Sequence, residues 1–347
     1  MTIRVLIVDD SPTMRALLSE LLRQEPDIEV VGAAADAIEA RALIRSLDPD
    51  VVTLDIEMPG MSGLEFLEKL MRLRPTPVII VSSLTRSCAD TTARALEIGA
   101  VDCYAKPNGS VGALLATDNG QLATLIRGAS QVRLSGRPAP ATIATAQAPR
   151  LQAVLRGRRP ALIAIGASTG GVEALQILLQ TFPADCPPTV IVQHINGQFA
   201  EAVARRFSDS CPPTVSIAEP DLPLRPGNVY LAGGNDRHLQ VRAMAGGIYS
   251  RIRPGDKVSG HRPSVDMLFH SVAETCGPQA VGVLLTGMGS DGAQGLLAMA
   301  NAGAVTIAQD EASCTVFGMP KAAIGLGAAQ IVAPITRVAD HIFARAA

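Results

Sequence analysis

"RVLIVDDSPTMRALLSELLRQ", residues 4–24, decides the fold. A short apolar run ends in two aspartates. The chain then enters a segment with apolar residues at three- and four-residue spacing. The first part reads as a strand and the second as an amphipathic helix. The same unit recurs downstream. "IEVVGAA" (28–34), "DVVTLDI" (50–56), "PVIIVSS" (77–83) and "AVDCYAKP" (100–107) read as strands, with helical patterns in "AIEARALIRSL" (37–47), "SGLEFLEKLMRL" (62–73) and "ADTTARALEIG" (89–99) between them. Strict β/α alternation predicts a parallel sheet with right-handed crossovers.

The alternation resumes after residue 160. "PALIAIGAS", "PTVIVQHI", "GNVYLAGG", "AVGVLLTGMG" and "AVTIAQD" read as strands, and "GVEALQILLQTF", "GQFAEAVARRFSD", "RPSVDMLFHSVAETCG" and "DGAQGLLAMANAG" as helices. Residues 228–256, with Gly-Gly turn signals, predict an antiparallel β-ribbon insert. Between the halves, residues 108–157 hold one candidate helix. The remainder, rich in Ala, Pro, Thr and Arg, has no sustained period and reads as a flexible linker. The expected organisation is two doubly wound α/β domains, at 1–107 and 158–347, joined by 108–157.

The 347 residues exceed one ordinary core. Hydrophobic residues make up 48%, but aromatics only 3% with no Trp, so the core must be aliphatic. A net charge of −2 gives no single-sign field to attract nucleic acid. No apolar stretch reaches membrane-span length, and the N-terminal run lacks a signal-peptide pattern. The six cysteines contain no C-x-x-C pair and read as reduced thiols. A cytoplasmic protein without membrane insertion is expected.

Asp9 and Asp10 follow the first strand and Asp55 ends the third. Ligands bind beyond the carboxyl ends of parallel strands, where these three carboxylates converge. Their oxygens suit Mg²⁺, and without a cation they would repel one another. Ser82 or Ser83 and Lys106 end the fourth and fifth strands. Taken singly, each acid is an ordinary cap or turn residue; five such groups at four strand ends form a pattern. "VLIVDDS", "DVVTLDIEMPGMSGLEFL", "VIIVSSLT" and "AKP" resemble a response-regulator receiver domain of flavodoxin-like fold. The resemblance implies phosphorylation of Asp55 by a histidine kinase. It also implies Mg²⁺ on Asp9 (through water), Asp10, Asp55 and the Glu57 carbonyl. Lys106 contacts the phosphoryl oxygens, and Ser82 is the switch hydroxyl, with Ser83 as the alternative.

"GASTGG" (166–171) stands at a predicted strand-to-helix turn and fits G-x-S-x-G. Three readings stay open on these residues alone: Ser168 as nucleophile, a phosphate cradle at the helix N-terminus, or a glycine turn with a serine cap. No Walker lysine and no G-x-G-x-x-G fingerprint accompany it. A nucleophile needs a base. His194, at the end of "TVIVQHI", leads by position and His261 is second, while His238, His270 and His341 lie inside predicted elements or near the C-terminus. Asp291, in "GMGSDG", is a helix-cap candidate that stands at the same sheet edge as Ser168 and His194. The order Ser, His, Asp departs from that of the α/β-hydrolases.

"IGASTGGVEAL", "VIVQHI", "GHRPSVDMLF", "LTGMGSDGAQGL" and "AQDEASCTVFGMPKAA" resemble the catalytic domain of the chemotaxis response-regulator protein-glutamate methylesterases, the CheB family. With the receiver in front, the likeness covers the chain apart from its linker. It implies hydrolysis of glutamyl methyl esters on chemoreceptors and deamidation of receptor glutamines. Ser168, His194 and Asp291 take the catalytic roles, and the amides of Thr169 and Met288 form an oxyanion hole. Ester hydrolysis uses no cofactor. Two positions depart from the family pattern, Asn196 after "QHI" and Cys314, expected to be a small buried residue. A receiver fused to an inactive hydrolase-like domain, or a dinucleotide enzyme, are rivals that ester hydrolysis and cofactor titration discriminate.

Overall fold

The computed structural model describes residues 2–106, 118, 120–132, 159–234 and 236–344. The first sheet contains β1 (Ile3–Val8), β2 (Ile28–Ala34), β3 (Val51–Asp55), β4 (Val78–Ser82) and β5 (Asp102–Ala105). All its pairings are parallel and the order is 2-1-3-4-5. The central strands β3 and β4 are buried along their whole length, which is why they read as continuous Val/Ile runs. Four helices connect the strands: α1 (Pro12–Arg23), α2 (Ala37–Leu47), α3 (Gly63–Leu73) and α4 (Arg86–Ile98). Ser11, Asp36, Ser62 and Thr85 cap their N-termini, each side chain accepting from an amide of the first turn.

A fifth helix, α5 (Gln121–Ser130), corrects the expected boundary. The sequence reading ends the first domain at 107 and places this segment in the connection. Instead Leu122, Ala123, Ile126 and Ala129 pack with Val5, Ile7, Leu17 and Leu21 of the first domain. Arg127 anchors the helix by bonding Asp27 and Glu25. The expected flexible linker lies mostly outside the described residues.

The second domain is built on β6 (Leu162–Ala167), β7 (Thr189–Gln193), β8 (Thr214–Ile217), β9 (Asn228–Leu231), and, after the ribbon β10 (Arg237–Met244) and β11 (Gly247–Pro254), on β12 (Ala280–Leu284), β13 (Val305–Gln309) and β14 (Ile331–Ala333). The seven sheet strands run parallel in the order 14-13-12-6-7-9-8, and the ribbon is antiparallel as expected. The helices are α6 (Gly171–Gln180), α7 (Gly197–Ser210), α8 (Val265–Cys276), α9 (Ala293–Asn301), α10 (Met319–Gly325) and α11 (Ile335–Phe343). The reading of the sequence does not place β8, β14, α10 or α11. The two strands are edge segments of four and three residues and α10 has only seven, too short to show a period, whereas α11 repeats apolar residues at Ile335, Val338, Ala339 and Ile342, a signal that could have found it.

One apolar cluster spans both domains. Ala89, Ala93 and Leu96 of α4 belong to the same buried cluster as Val172 and Leu175 of α6 and Phe199 and Val203 of α7. Helix α4 thus faces the first sheet on one side and the second domain on the other.

Candidate active site and phosphoacceptor cleft

At the carboxyl edge of the first sheet, ligating oxygens of Asp9, Asp10 and Asp55 lie within 4.8 Å of one another. Lys106 Nζ reaches Asp55 Oδ2 at 2.6 Å and Asp9 Oδ2 at 2.9 Å. Burial pushes the Asp55 carboxyl up from its ordinary range, with Lys106 opposing and Asp9 adding to the push. Burial alone would lower Lys106, but its contacts with Asp55 and Asp9 leave it raised. The Glu57 amide donates to Asp55 Oδ1 at 3.1 Å, which turns that backbone about the aspartate. Ser82 is buried, and among the described residues its hydroxyl bonds only the Ser83 carbonyl, at 3.4 Å. The half-buried Ser83 instead donates to Glu57 at 3.4 Å. An all-oxygen donor set, closely spaced and balanced by a single ammonium, suits a hard divalent cation such as Mg²⁺.

The serine turn is held by hydrogen bonds rather than by its own helix cap. The Ser168 amide donates to the Thr286 carbonyl at 3.0 Å, and the Ser168 carbonyl accepts from Gly171 at 2.7 Å and from Gln193 Nε2 at 2.8 Å. The Thr286 hydroxyl donates to the Thr169 carbonyl at 3.0 Å, and Gln309 Oε1 holds the Thr286 amide at 2.8 Å. Gly170 adopts φ +74°, and a Cβ there would stand 2.3 Å from Thr315. Only glycine fits this corner. Among the described residues, neither the Thr169 nor the Met288 amide has a protein acceptor. Gln193, Thr286 and Gln309 were not singled out in the sequence. Each is a polar residue inside an apolar run, which is the signal that could have found them.

His194 follows β7, and its Nε2 bonds Asp291 Oδ2 at 2.8 Å. Asp291 is buried at the N-terminus of α8. It accepts from Ser264 Oγ at 2.8 Å, the Val265 amide at 2.7 Å and the Asp266 amide at 3.0 Å. Burial would raise its carboxyl, but His194 and these amides hold it below the usual range. The neighbouring Asp266 carboxyl is raised by burial. His194 Nδ1 is buried with no hydrogen-bond partner. The His261 ring lies flat on His194, with centroids 3.8 Å apart and planes 3° apart. Burial, then His194, pushes His261 down to about 4, so it is neutral at physiological pH. Mutual bonds between Val258 and His261 close the turn that presents it.

The remaining histidines lie apart from this group. His238 bonds the Asp256 carbonyl at 2.8 Å and accepts from the Ser264 amide at 3.1 Å, so it braces the α8 start. His270 is exposed on α8 and His341 sits in the last turn of α11. Asn196 caps α7, its Oδ1 accepting from Gln198 at 3.0 Å. Cys314 is half-buried rather than buried, and burial pushes its thiol up to about 12. It is therefore no thiolate nucleophile at neutral pH.

The first domain covers this edge. The Gly170 amide donates to Val101 O at 3.1 Å and the Thr169 hydroxyl to Asp102 Oδ2 at 2.9 Å. Leu96, Ala100, Val101 and Asp102 line the same small cleft as Ser168 and Gln193. From the other side α5 approaches so closely that a Cβ on Gly128 would lie 3.3 Å from Met288 Sδ and 3.7 Å from Thr169 Oγ1. No Ser168–His194 hydrogen bond forms in this closed arrangement among the described residues, a looseness common in unliganded catalytic sites.

Comparisons with known proteins follow the same division. Residues 163–342 match the model of the CheB methylesterase family and residues 5–116 that of the response regulator receiver domain. A protein-glutamate methylesterase/protein-glutamine glutaminase of Agrobacterium fabrum is 51% identical over 98% of this chain and 95% of its own length. A protein of the same description, numbered 1, from Caulobacter vibrioides is 52% identical over 94% of this chain and 93% of its own. The crystal structure of the Thermotoga maritima CheB methylesterase catalytic domain superposes with a TM-score of 0.52 at 34% identity, covering 54% of this chain and 99% of that one. No helix among the described residues is long and apolar enough to cross a membrane.

Proposed function

The chain belongs to the CheB methylesterases that carry an N-terminal receiver domain, and from that premise we propose how its residues divide the work. It hydrolyses glutamyl methyl esters to glutamate and methanol and deamidates glutamines to glutamate and ammonia, within chemotaxis adaptation. Its substrates are side chains of chemoreceptors, and a histidine kinase supplies the phosphoryl group.

Ser168 is the nucleophile. Asp291 accepts from His194 Nε2, which leaves the Nδ1 lone pair to take the Ser168 proton. Ser168 Oγ bonds the ester carbon, and the amides of Thr169 and Met288 receive the oxyanion. Collapse expels methoxide, protonated by His194. Water then gives its proton to His194 and attacks the acyl-serine, and glutamate leaves as Ser168 recovers its proton. With glutamine the leaving group is ammonia. The imidazolium formed in each half-reaction is balanced by Asp291, whose charge the α8 amides fix in place.

In the receiver, Asp55 accepts the phosphoryl group, with Asp9, Asp10, Asp55 and the Glu57 carbonyl as the oxygens for Mg²⁺. Bound there, Mg²⁺ neutralises phosphoryl charge. Lys106 meets the new oxygens and Ser82 supplies the switch hydroxyl, with Ser83 the less suited by its exposure. Domains 1–132 and 159–347 are the working units.

The observation that carries the catalytic reading is the buried His194–Asp291 bond of 2.8 Å seated on a helix N-terminus at the edge that holds Ser168. Release of methanol from methylated receptor by full chain with a phosphodonor tests it. Ser168→Ala should cut turnover by about three orders of magnitude or more. Near-normal release by that variant, with loss in Cys314→Ala, would move the nucleophile.

A further inference from the structure

Asp90 and Glu97 stand seven residues apart on α4, two turns and about 10 Å along one face. Each holds an arginine of α7. Arg205 Nη2 lies 2.6 Å from Asp90 Oδ1, and Arg206 grips Glu97 as a fork, with Nε at 2.8 Å from Oε1 and Nη2 against Oε2. The second pair is the more enclosed, its glutamate side chain only 15% exposed. Among the described residues neither arginine forms an ion pair inside its own domain, although the Asp209 charge on α7 acts on Arg206. Beyond the acids the same helix brings Leu96 to the cleft of Ser168, and the turn after it sets the Asp102 carboxylate against Thr169.

The covering element thus presents an acidic helix face to α7 and a carboxyl group to the serine turn. Those are also the attributes of a receptor helix on which neighbouring sites have already been processed. Each turnover converts a neutral ester or amide into a carboxylate, so a receptor helix becomes acidic wherever it has been cut. We propose that Arg205 and Arg206 form a docking surface for the acidic receptor helix, and that α4 with Asp102 occupies it as an intramolecular stand-in. The proposal rests on the receptor-esterase reading above and adds where the substrate lies. Departure of the receiver leaves two guanidiniums unpaired beside the open cleft. Arginine suits the task because its fork takes carboxylates bidentately. One pair of side chains therefore serves two exclusive partners, and phosphorylation exchanges one for the other.

The test uses the full chain with two substrates, methylated receptor in membranes and p-nitrophenyl acetate. The variants are Arg205→Glu with Arg206→Glu on α7, and Asp90→Arg with Glu97→Arg on α4. Without phosphodonor both pairs should raise hydrolysis of the small ester, because both break the cover. With phosphodonor and Mg²⁺ the α7 variant should show a ratio of receptor to small-ester kcat/KM lowered about tenfold, as the product of two exposed charge pairs at a few-fold each. The loss should lie in KM and shrink as salt rises. The α4 variant should keep the wild-type ratio. An α7 variant with an unchanged ratio overturns the proposal and leaves the arginines as a latch alone. Wild-type chain that cleaves the small ester but releases no methanol from receptor overturns the receptor reading and this proposal with it.

Discussion

Replacing Asp102 by Asn should tighten the closed form at neutral pH. Asp102 opens β5, and docking buries it between the domains, where it accepts from the Thr169 hydroxyl and the Cys103 amide. Burial pushes its carboxyl up from 3.8 to about 6, against the hydrogen bonds and His194, which lower it. A displaced receiver returns the group to water and to its ordinary value. The docked state therefore binds the proton more tightly, and protonation favours docking. That contribution is complete below 3.8 and is lost as pH rises through about 6. A difference of about two units corresponds to about 3 kcal/mol, or about a hundredfold in the closed-to-open ratio. Asn keeps both contacts, its Nδ2 donating to Thr169 Oγ1, and carries no charge to desolvate. Hydrolysis of p-nitrophenyl acetate by unphosphorylated full chain, divided at each pH by that of a fragment starting near Pro160, reads the open fraction. For the wild type this ratio should climb between about pH 4 and 6 and level off above that. For Asp102→Asn it should stay flat and lie up to about a hundredfold lower at pH 7.5. A ratio that rises at pH 7.5 in the variant would show that the charge itself holds the domains together, and the reasoning would be wrong.

The fragment from Pro160 should hydrolyse methylated receptor faster than unphosphorylated full chain, and a phosphodonor with Mg²⁺ should stimulate only the latter; Asp55→Asn should remove the stimulation while keeping basal activity. Equal rates for fragment and full chain would rule out blocking at the serine turn. His261→Ala should lower kcat of phosphodonor-activated full chain about three- to tenfold with little change in KM, the worth of one aromatic stack, and His261→Phe should restore most of it. If His261→Gln proves more damaging than His194→Gln, the base has been misassigned.

Much of this was legible because parallel α/β sheets gather chemistry at strand ends. Asp9, Asp55, Ser168 and His194 all announce themselves as polar residues closing apolar runs. The α5 helix was legible only as a candidate helix in the connection, since its apolar face follows a segment without period and nothing local says which sheet it joins. Asp102 carried a weak signal, an acid inside "AVDCYAKP" whose nearby Lys106 turns to Asp9 and Asp55 instead; its partner is Thr169, 67 residues away. The His261 stack depends on a turn at Val258–His261 and a ring placed by another strand, and tertiary geometry of that kind leaves no periodic trace. Cys314 read as a small buried residue, yet the loop after β13 leaves it half-buried.

Helix α4 shares one apolar cluster with both domains, so lifting it wets aliphatic side chains of α6 and α7 that no sheet can cover. The open enzyme is then the form with the stickier surface, and its drying adds to the inter-domain ion pairs in driving it shut. A receptor helix lying on that surface would dry it again. By mass action, binding then favours opening as much as opening favours binding. Densely packed receptor would substitute in part for phosphorylation, so the same level of signal would open more enzyme inside a receptor cluster than outside it. Sensitivity would be set by where the enzyme stands as well as by how strongly it is signalled.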